Sequence, residues 1–219
     1  MPHPATLDAC HALPRAPAWV ARSMRGATPL GRGSYASVYG CSDGTALKIT
    51  ADGATIALAR HLRKRPTLGL PLVRRASILR LPGRSASALM AIKSPLLTPL
   101  RSWRRLSVRA AYDAALVQAC RSRGFRGRDP AGARVHAIEL AASNPGPLPE
   151  FSADICERLA LSCVENQQGA RMARALRELG RFCVSARCDI DLTNMPNWMV
   201  DADGRLTLSD PVVAKAHAF

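Results

Sequence analysis

The sequence predicts an α+β protein with two lobes, in which a small antiparallel sheet precedes a mainly helical part. Alternating apolar and polar residues with glycine and proline turns dominate residues 29–93, which is typical of short paired strands. Helical spacing of apolar residues recurs over residues 103–186, and a short hairpin with an Asp-Gly turn follows. We therefore divide the chain into a lead-in over residues 1–28, a sheet lobe over 29–93 and a helical lobe over 94–219. We expect the lead-in to be loosely packed, with one short helix around residues 18–24.

The 219 residues carry a formal net charge of +15, and this excess lies in the first half of the chain. Residues 1–112 contain 18 Lys and Arg but only three acids, whereas residues 113–219 contain 13 basic and 13 acidic residues. A basic face of this kind attracts phosphate, nucleic acid or an acidic protein surface. Aromatic residues do not alternate with the basic ones, so base stacking is not predicted. Solubility and codon bias are the alternative explanation.

The cysteines and the hydropathy of the chain indicate where the protein works. The seven cysteines form no C-x-x-C pair and have no histidines at ligand spacing, so neither a disulfide framework nor a zinc site is predicted. No apolar run approaches the roughly 20 residues that a membrane helix needs. The N-terminus lacks the pattern of a signal peptide. We expect a cytoplasmic protein with reduced cysteines and no membrane partner.

The stretch LGRGSYASVY at residues 30–39 predicts a strand entered through a two-glycine turn. A hairpin turn follows at residues 41–44, and a returning strand covers residues 45–49. Glycines at such a turn let backbone N–H groups approach phosphates. The hairpin therefore predicts a nucleotide-binding segment formed by Gly31, Gly33, Ser34 and Val38, with Lys48 reaching the phosphates from the returning strand.

The middle of the chain predicts a helix, a strand pair and three further helices. Residues 53–65 have helical spacing with a basic outer face, and extended runs at 70–73 with 77–81 and at 86–92 complete the sheet. Residues 92–95 should break the last strand. The later helices are predicted over residues 103–120, 150–164 and 168–186, with loops at 121–129 and 142–149 around an uncertain segment. In the last of these helices, Met172, Leu176, Leu179 and Phe182 lie on one apolar face.

The stretch DIDLTNMPNWMVDADGRLTLSD at residues 189–210 carries the second motif. It predicts a loop, a short strand, an Asp-Gly hairpin turn and a second short strand. Asn197 lies at the start of this hairpin and Asp210 at its end, with two acids, Asp189 and Asp191, upstream.

The two motifs, in this order, resemble protein-kinase-like phosphotransferases, and more narrowly the early Ser/Thr protein kinases of T-seven-like podophages. The similarity covers Gly31–Tyr39 and Ser185–Val213, and the sequence LSDPV at 208–212 has Asp-Pro-Val where kinases have Asp-Phe-Gly. The resemblance implies a minimal two-lobed kinase-like fold, truncated after Asp210. It implies a virus-encoded enzyme that uses ATP and Mg²⁺ to phosphorylate host proteins, such as the transcription or RNA-processing machinery.

Carried over by residue, the resemblance implies that Gly31 and Gly33 cradle the ATP phosphates, Lys48 holds them, and Asn197 and Asp210 bind Mg²⁺. The catalytic acid is open, because the family's spacing from the Asn points to Leu192. Asp191 fits with Asn197 if the loop carries one extra residue, and this pair needs the smaller insertion. Asp189 fits if Asn194 takes the place of the metal-binding Asn.

Two departures from the kinase pattern keep other functions open. In kinases, the helix that corresponds to residues 53–65 supplies a Glu to the strand Lys. Here Asp52 is the sole acid between Lys48 and Asp113. Few residues follow Asp210 to form substrate-binding helices. A pseudokinase-like protein that inhibits a host factor through its basic N-terminal half is therefore the main alternative. Small-molecule phosphotransfer is the third possible function.

Overall fold

The computed structural model describes residues 16–33, 35–80, 88–144, 147–163 and 167–214. The chain divides into two compact units. We call residues up to 66 together with 72–97 the sheet unit, and residues 67–71 together with those from 98 onwards the helical unit. Ser34 and the Pro82-Gly83 pair, which separates the predicted runs at 77–81 and 86–92, lie outside the described residues.

The sheet unit is built on a five-stranded sheet with the strand order β1-β2-β3-β5-β4. All four neighbouring pairs are antiparallel. The predicted hairpin and the helix after it are confirmed. The elements of this unit are α1 (Ala18–Met24), β1 (Thr28–Arg32), β2 (Ala36–Gly40), β3 (Thr45–Thr50), α2 (Gly53–Lys64), β4 (Arg75–Arg80) and β5 (Ala88–Pro95).

Alternation along β3 gives the sheet two different faces. Leu47 and Ile49 are fully buried on one face, in an apolar cluster that includes Val20 of α1. On the opposite face, Ala59 of α2 packs in a second cluster with Ile92 of β5. The sheet is therefore covered by α1 on one side and by α2 on the other.

The predicted helix in the lead-in is confirmed, but the expectation that the lead-in is loosely packed is wrong for α1. The relative solvent exposures of Val20 and Met24 are 2% and 9%. The indole Nε1 of Trp19 also donates to the hydroxyl of Ser77 in β4 at 3.1 Å. These apolar side chains recur at helical spacing, so α1 buries one face against the sheet.

In its described residues, the helical unit contains four helices and two small sheets. The apolar face predicted for the last helix is confirmed, since Met172, Leu176, Leu179 and Phe182 are all buried. The helices are α3 (Ser102–Arg121), α4 (Pro130–Ala142), α5 (Pro149–Ser162) and α6 (Gln167–Ala186). The strands are β6 (Thr98–Pro99), β7 (Asp189–Ile190), β8 (Trp198–Val200), β9 (Leu206–Leu208) and β10 (Val212–Val213), with a 3₁₀ turn at Met195–Asn197.

The short strands of the helical unit form one three-stranded sheet, in the order β6-β8-β9, and one pair of β7 with β10. The hairpin of β8 and β9 turns at residues 201–204, where Gly204 has a φ of +73°. This is the predicted Asp-Gly hairpin. The N–H of Leu208 in β9 also donates to the carbonyl of Gly69 at 2.9 Å, which ties residues 67–71 to this unit.

Two local predictions differ from the structure, and the segment without a predicted element forms a helix. Residues 92–95 do not break the sheet, because β5 continues to Pro95 and pairs with β3 from Met90 to Pro95. Residues 70–73 form no strand, and β4 begins at Arg75. The segment left uncertain between the two loops is the helix α4, which begins with Pro130 and is capped by the Asp129 carboxylate on the N–H of Gly132 at 2.6 Å.

The predicted fold class is confirmed, because the described chain is α+β with an antiparallel sheet unit followed by a mainly helical unit. The six described cysteines are all free thiols, and five of them are buried. Among the described residues, no helix is both long and apolar enough to cross a membrane.

Candidate functional site

Three of the residues predicted to bind a nucleotide lie in one row across the sheet. Gly31 in β1 pairs with Val38 in β2, and Val38 pairs with Lys48 in β3. Directly opposed residues in an antiparallel sheet point to the same face. Lys48 also pairs with Ile92 of β5, so this is the face that packs against α2. The sheet unit thus brings Gly31, Val38 and Lys48 together.

Neither glycine of the predicted phosphate loop is required by the fold. A Cβ atom at Gly31 or Gly33 would meet no atom within 4 Å, and neither residue has a positive φ. Both glycines are exposed. We call the hairpin of β1 and β2 the glycine hairpin. It closes through the N–H of Gly33, which donates to the carbonyl of Ala36 at 2.8 Å. Because glycine weakens a strand, its presence here fits close approach of a ligand to the backbone.

The helix α2 turns a side without carboxylates towards the sheet. Its buried residues are Ala54, Thr55, Leu58, Ala59 and Leu62. The nearest acid in sequence, Asp52, caps this helix, since its carboxylate accepts from the N–H and the hydroxyl of Thr55 at 2.8 and 2.6 Å. Asp52 therefore has a structural role at the start of α2.

In the helical unit, Asn197 is bonded directly to Asp191. The Nδ2 atom of Asn197 donates to the backbone carbonyl of Asp191 at 2.7 Å and to its Oδ2 atom at 3.1 Å. Asn197 is buried and Asp191 is half-buried. Two acceptors face the amide nitrogen, which leaves Oδ1 as the oxygen that can bind a cation.

Asp210 is brought to the same place by the strand pair of β7 and β10. The N–H of Asp191 donates to the carbonyl of Pro211 at 2.8 Å, directly after Asp210. The N–H of Ser209, directly before it, donates to the carbonyl of Asn197 at 2.8 Å. The chain on either side of Asp210 is thus bonded to Asp191 and Asn197, so these three predicted residues form one cluster in the helical unit.

Asp189, the alternative catalytic acid, is a structural residue. Its side chain is fully buried, and Oδ1 accepts from the N–H of Leu148 at 2.8 Å and from the hydroxyl of Ser152 at 3.1 Å. Its Oδ2 atom has no hydrogen bond. Burial raises the pKa of this carboxyl, against the lowering effect of those two donors. A carboxyl without exposed surface cannot touch a substrate hydroxyl, so the geometry favours Asp191.

The loop that follows Asp191 is braced by residues that the sequence analysis did not identify. Arg109 of α3 donates to the carbonyl of Thr193 at 3.2 Å and forms an ion pair with Asp113 at 3.2 Å. Arg134 of α4 binds the same carboxylate at 2.6 Å. Trp198 donates through its indole Nε1 to the carbonyl of Leu192 at 2.9 Å. Only the i,i+4 spacing of Arg109 and Asp113 could have indicated any of these contacts from the sequence.

The hairpin after Asn197 is fixed by ion pairs at its turn. Arg171 of α6 binds the carboxylate of Asp201 at 3.0 Å and the hydroxyl of Thr207 at 3.3 Å. Burial would raise the pKa of Asp201, but the N–H of Arg205 and the guanidinium of Arg171 outweigh it and hold this pKa below its usual value. Arg104 of α3 donates to the carbonyl of Gly204 at 3.0 Å.

The cluster offers oxygen donors of the kind that Mg²⁺ prefers. Carboxylates of Asp191 and Asp210 and the Oδ1 atom of Asn197 are hard ligands, and Mg²⁺ is usually held by one or two carboxylates together with substrate phosphates. No group of three or more His, Cys, Asp or Glu among the described residues could hold a metal by itself. A cation bound here would therefore need further ligands besides these three side chains.

The sequence matches no protein-family profile and no curated protein. Among solved structures, the chain shows a likeness to the aminoglycoside phosphotransferase APH(3'')-Id from Streptomyces rimosus. The sequence identity is 16% and the TM-score is 0.32, with 94% of this chain and 78% of that chain covered. A TM-score of this size does not carry a conclusion about function, which depends instead on the residues described above.

Proposed function

We propose that the protein is an ATP- and Mg²⁺-dependent protein kinase that phosphorylates serine or threonine hydroxyls. One observation carries the proposal: the amide of Asn197 bonds to Asp191 while the backbone of Asn197 and that of Asp191 hold the chain on both sides of Asp210. This arrangement supports the proposal, because phosphoryl transfer to a hydroxyl needs one carboxylate for the hydroxyl, and an amide oxygen with a second carboxylate for the metal.

In the proposed reaction, Asp191 accepts a hydrogen bond from the substrate hydroxyl and orients it. The hydroxyl oxygen forms a bond to the γ-phosphorus, the bond from that phosphorus to the β,γ-bridging oxygen breaks, and ADP leaves with that electron pair. The hydroxyl proton passes to the Asp191 carboxylate and then to solvent. Asn197 and Asp210 would hold Mg²⁺, which supplies charge neutralisation for the phosphates.

Lys48 and the glycine hairpin would bind the nucleotide in the sheet unit. Gly31 and Gly33 expose backbone N–H groups that can approach phosphates, Val38 would contact the base, and Lys48 would bind the phosphates. Ser34 belongs to the same proposed loop. Host proteins, such as those of the transcription or RNA-processing machinery, are the proposed substrates, and the host cytoplasm is the proposed location.

A second candidate function, binding to a host factor without phosphoryl transfer, is favoured by the helix α2. Kinases of this fold activate the strand Lys through a Glu on this helix, whereas the buried side of α2 consists of apolar residues and Thr55. A protein without that carboxylate would still fold, and it could act by occupying a partner.

The experiment is incubation with γ-labelled ATP and Mg²⁺, of the protein alone and with host lysate. We expect transfer by the wild type, loss of transfer to background in Asp210→Ala, and a fall of roughly 10²–10⁴-fold in Asp191→Asn. Asp203→Ala is the matched control, because Asp203 is an exposed acid on the turn of the same hairpin.

Transfer that persists in Asp210→Ala would contradict the assignment of this residue. No transfer by the wild type, combined with specific retention of lysate partners, would favour the binding function. If the protein is a kinase, Asp203→Ala should transfer phosphate at the wild-type rate. If it acts by binding, Asp203→Ala should retain the same lysate partners.

A further inference from the structure

The sheet unit carries a group of exposed cations for which the proposed kinase reaction has no use. Arg60, Arg63 and Lys64 lie on the exposed side of α2, near its C-terminal end, and Arg74 lies one residue before β4. The guanidinium of Arg63 donates to the carbonyl of Ala76 in β4 at 3.4 Å, which places the end of α2 beside the start of β4. We call these four residues the α2–β4 basic surface.

Among the residues that the structure describes, no carboxylate balances this surface. In the described part of the chain, none of its four cations forms an ion pair, and the described residues of the sheet unit include two acids, Asp43 and Asp52. Asp43 is bound to Lys93 at 2.6 Å. Asp52 caps α2 at its N-terminal end, about 18 Å along the helix axis from the C-terminal end. Within the described part of the chain, no side chain therefore neutralises the charge of this surface.

Helix stabilisation accounts for part of this arrangement but not for all of it. Cations in the last turn of a helix are favoured by the helix dipole, and this explains Arg63 and Lys64. It does not explain Arg74, which lies outside the helix. Arg60 lies three and four residues before Arg63 and Lys64, at spacings where like charges repel each other. A bound polyanion would relieve that repulsion.

We infer that the α2–β4 basic surface binds the phosphate backbone of a nucleic-acid duplex. Three of its four residues are arginines, whose planar guanidinium groups bind phosphate in a bidentate manner. Neither α2 nor the described part of β4 contains a Phe, Tyr or Trp side chain on which unpaired bases could stack, so the backbone of a duplex fits better than a single strand. Binding of this kind is independent of base sequence and strongly dependent on salt.

The test is a titration of labelled DNA and RNA duplexes with the full chain over a range of KCl concentrations, followed by fluorescence anisotropy. The surface variant is Arg60→Gln/Lys64→Gln/Arg74→Gln, which spares Arg63 and its backbone contact. The control variant is Arg121→Gln/Arg126→Gln/Arg128→Gln. It removes the same charge from three exposed arginines of the helical unit, and no ion pair involves them in the described part of the chain.

We expect the slope of log K against log salt to become shallower by about 2.7 in the surface variant, since each lost phosphate contact removes about 0.9. The control variant should keep most of the wild-type slope. Equal losses in the two variants would show attraction by net charge alone and overturn the inference. It would also be overturned if the wild type bound neither duplex.

Two other polyanions serve as competitors in the same assay. Poly-glutamate represents an acidic protein, and vesicles containing phosphatidylserine represent an anionic lipid surface. If either displaces the duplex at a lower concentration of charge than unlabelled duplex does, the surface is not a nucleic-acid site. Should the triple variant fail to fold, the single variants Lys64→Gln and Arg74→Gln should each reduce the slope by about 0.9.

Discussion

The side-chain amide of Asn197 donates to both the backbone carbonyl and the carboxylate of Asp191, at 2.7 and 3.1 Å. One side chain thus fixes the position of the proposed catalytic acid and keeps its own oxygen for a cation. Because Asn197 is buried, its loss would leave acceptors of the Asp191 loop without their donor.

We therefore predict that Asn197→Ala destabilises the protein by about 1–3 kcal/mol, the cost of leaving buried polar groups unpaired. Urea unfolding at neutral pH measures this difference. Asn194→Ala is the control, because Asn194 is exposed and its side chain makes no capping hydrogen bond to the 3₁₀ turn. That variant should stay within about 0.5 kcal/mol of the wild type. Equal effects at the two positions would contradict the special role of Asn197.

Asp189 gives a prediction about pH, because burial raises the pKa of its carboxyl in the folded state. Between its ordinary pKa, about 3.9, and the raised folded value, the unfolded chain loses this proton while the folded chain keeps it. The contribution of Asp189 to the stability is therefore present at low pH and is lost as the pH rises through this window.

The variant Asp189→Asn keeps the shape of the side chain but cannot ionise. We expect its free energy of unfolding, relative to the wild type, to increase as the pH rises from about 3 to 7. Paired urea titrations across this range isolate the effect, since the other carboxyl groups are common to both proteins. A constant or decreasing difference would mean that the folded-state pKa of Asp189 is not raised.

Gly69 gives a prediction about packing in the helical unit. Its φ is +94°, and a Cβ atom there would lie 2.9 Å from the Cβ of Ala175 in α6. We expect Gly69→Ala to cost about 2–4 kcal/mol, from backbone strain together with steric overlap.

The comparison for Gly69 is Gly204→Ala, where φ is +73° but a Cβ would meet nothing within 4 Å. Only backbone strain destabilises Gly204→Ala, so this variant should lose about 1–2 kcal/mol of unfolding free energy. Thermal and chemical unfolding of the two variants measure the difference. A cost at Gly204 as large as that at Gly69 would exclude the contact with Ala175 as the cause.

Local patterns predicted the elements of this fold well. The alternation of β3, the helical spacing of α6 and the Asp-Gly turn of the late hairpin are properties of neighbouring residues, and they appear in the structure. The end of β5 was placed too early, because pairing with β3 carries that strand through Lys93 to Pro95. Propensity alone does not show such tertiary support.

The candidate site was predictable as a set of residues but not as an arrangement. Spacing left two choices for the catalytic acid, and only burial distinguishes Asp189 from Asp191. The contact of Arg109 with the carbonyl of Thr193 joins residues 84 positions apart, so no local pattern contains it. The packing of α1 against the sheet was missed for the same reason, since its partners are far away in the chain.

The glycine hairpin allows binding to be separated from folding. Because a Cβ at Gly31 or Gly33 would meet no atom within 4 Å and neither φ is positive, alanine at these positions should not destabilise the protein. A gain of up to about 1 kcal/mol is expected, since alanine loses less backbone entropy than glycine on folding. Urea unfolding of Gly31→Ala/Gly33→Ala checks this part.

The same double variant should bind ATP with Mg²⁺ more weakly than the wild type, because two methyl groups would stand where phosphates approach the backbone. Isothermal titration calorimetry measures the affinity. Gly53→Ala is the matched control, as Gly53 is an exposed glycine at the start of α2 with equally open surroundings. Unchanged ATP affinity in the double variant would exclude the hairpin as a phosphate loop, whereas weaker binding with full stability would assign these glycines to the nucleotide.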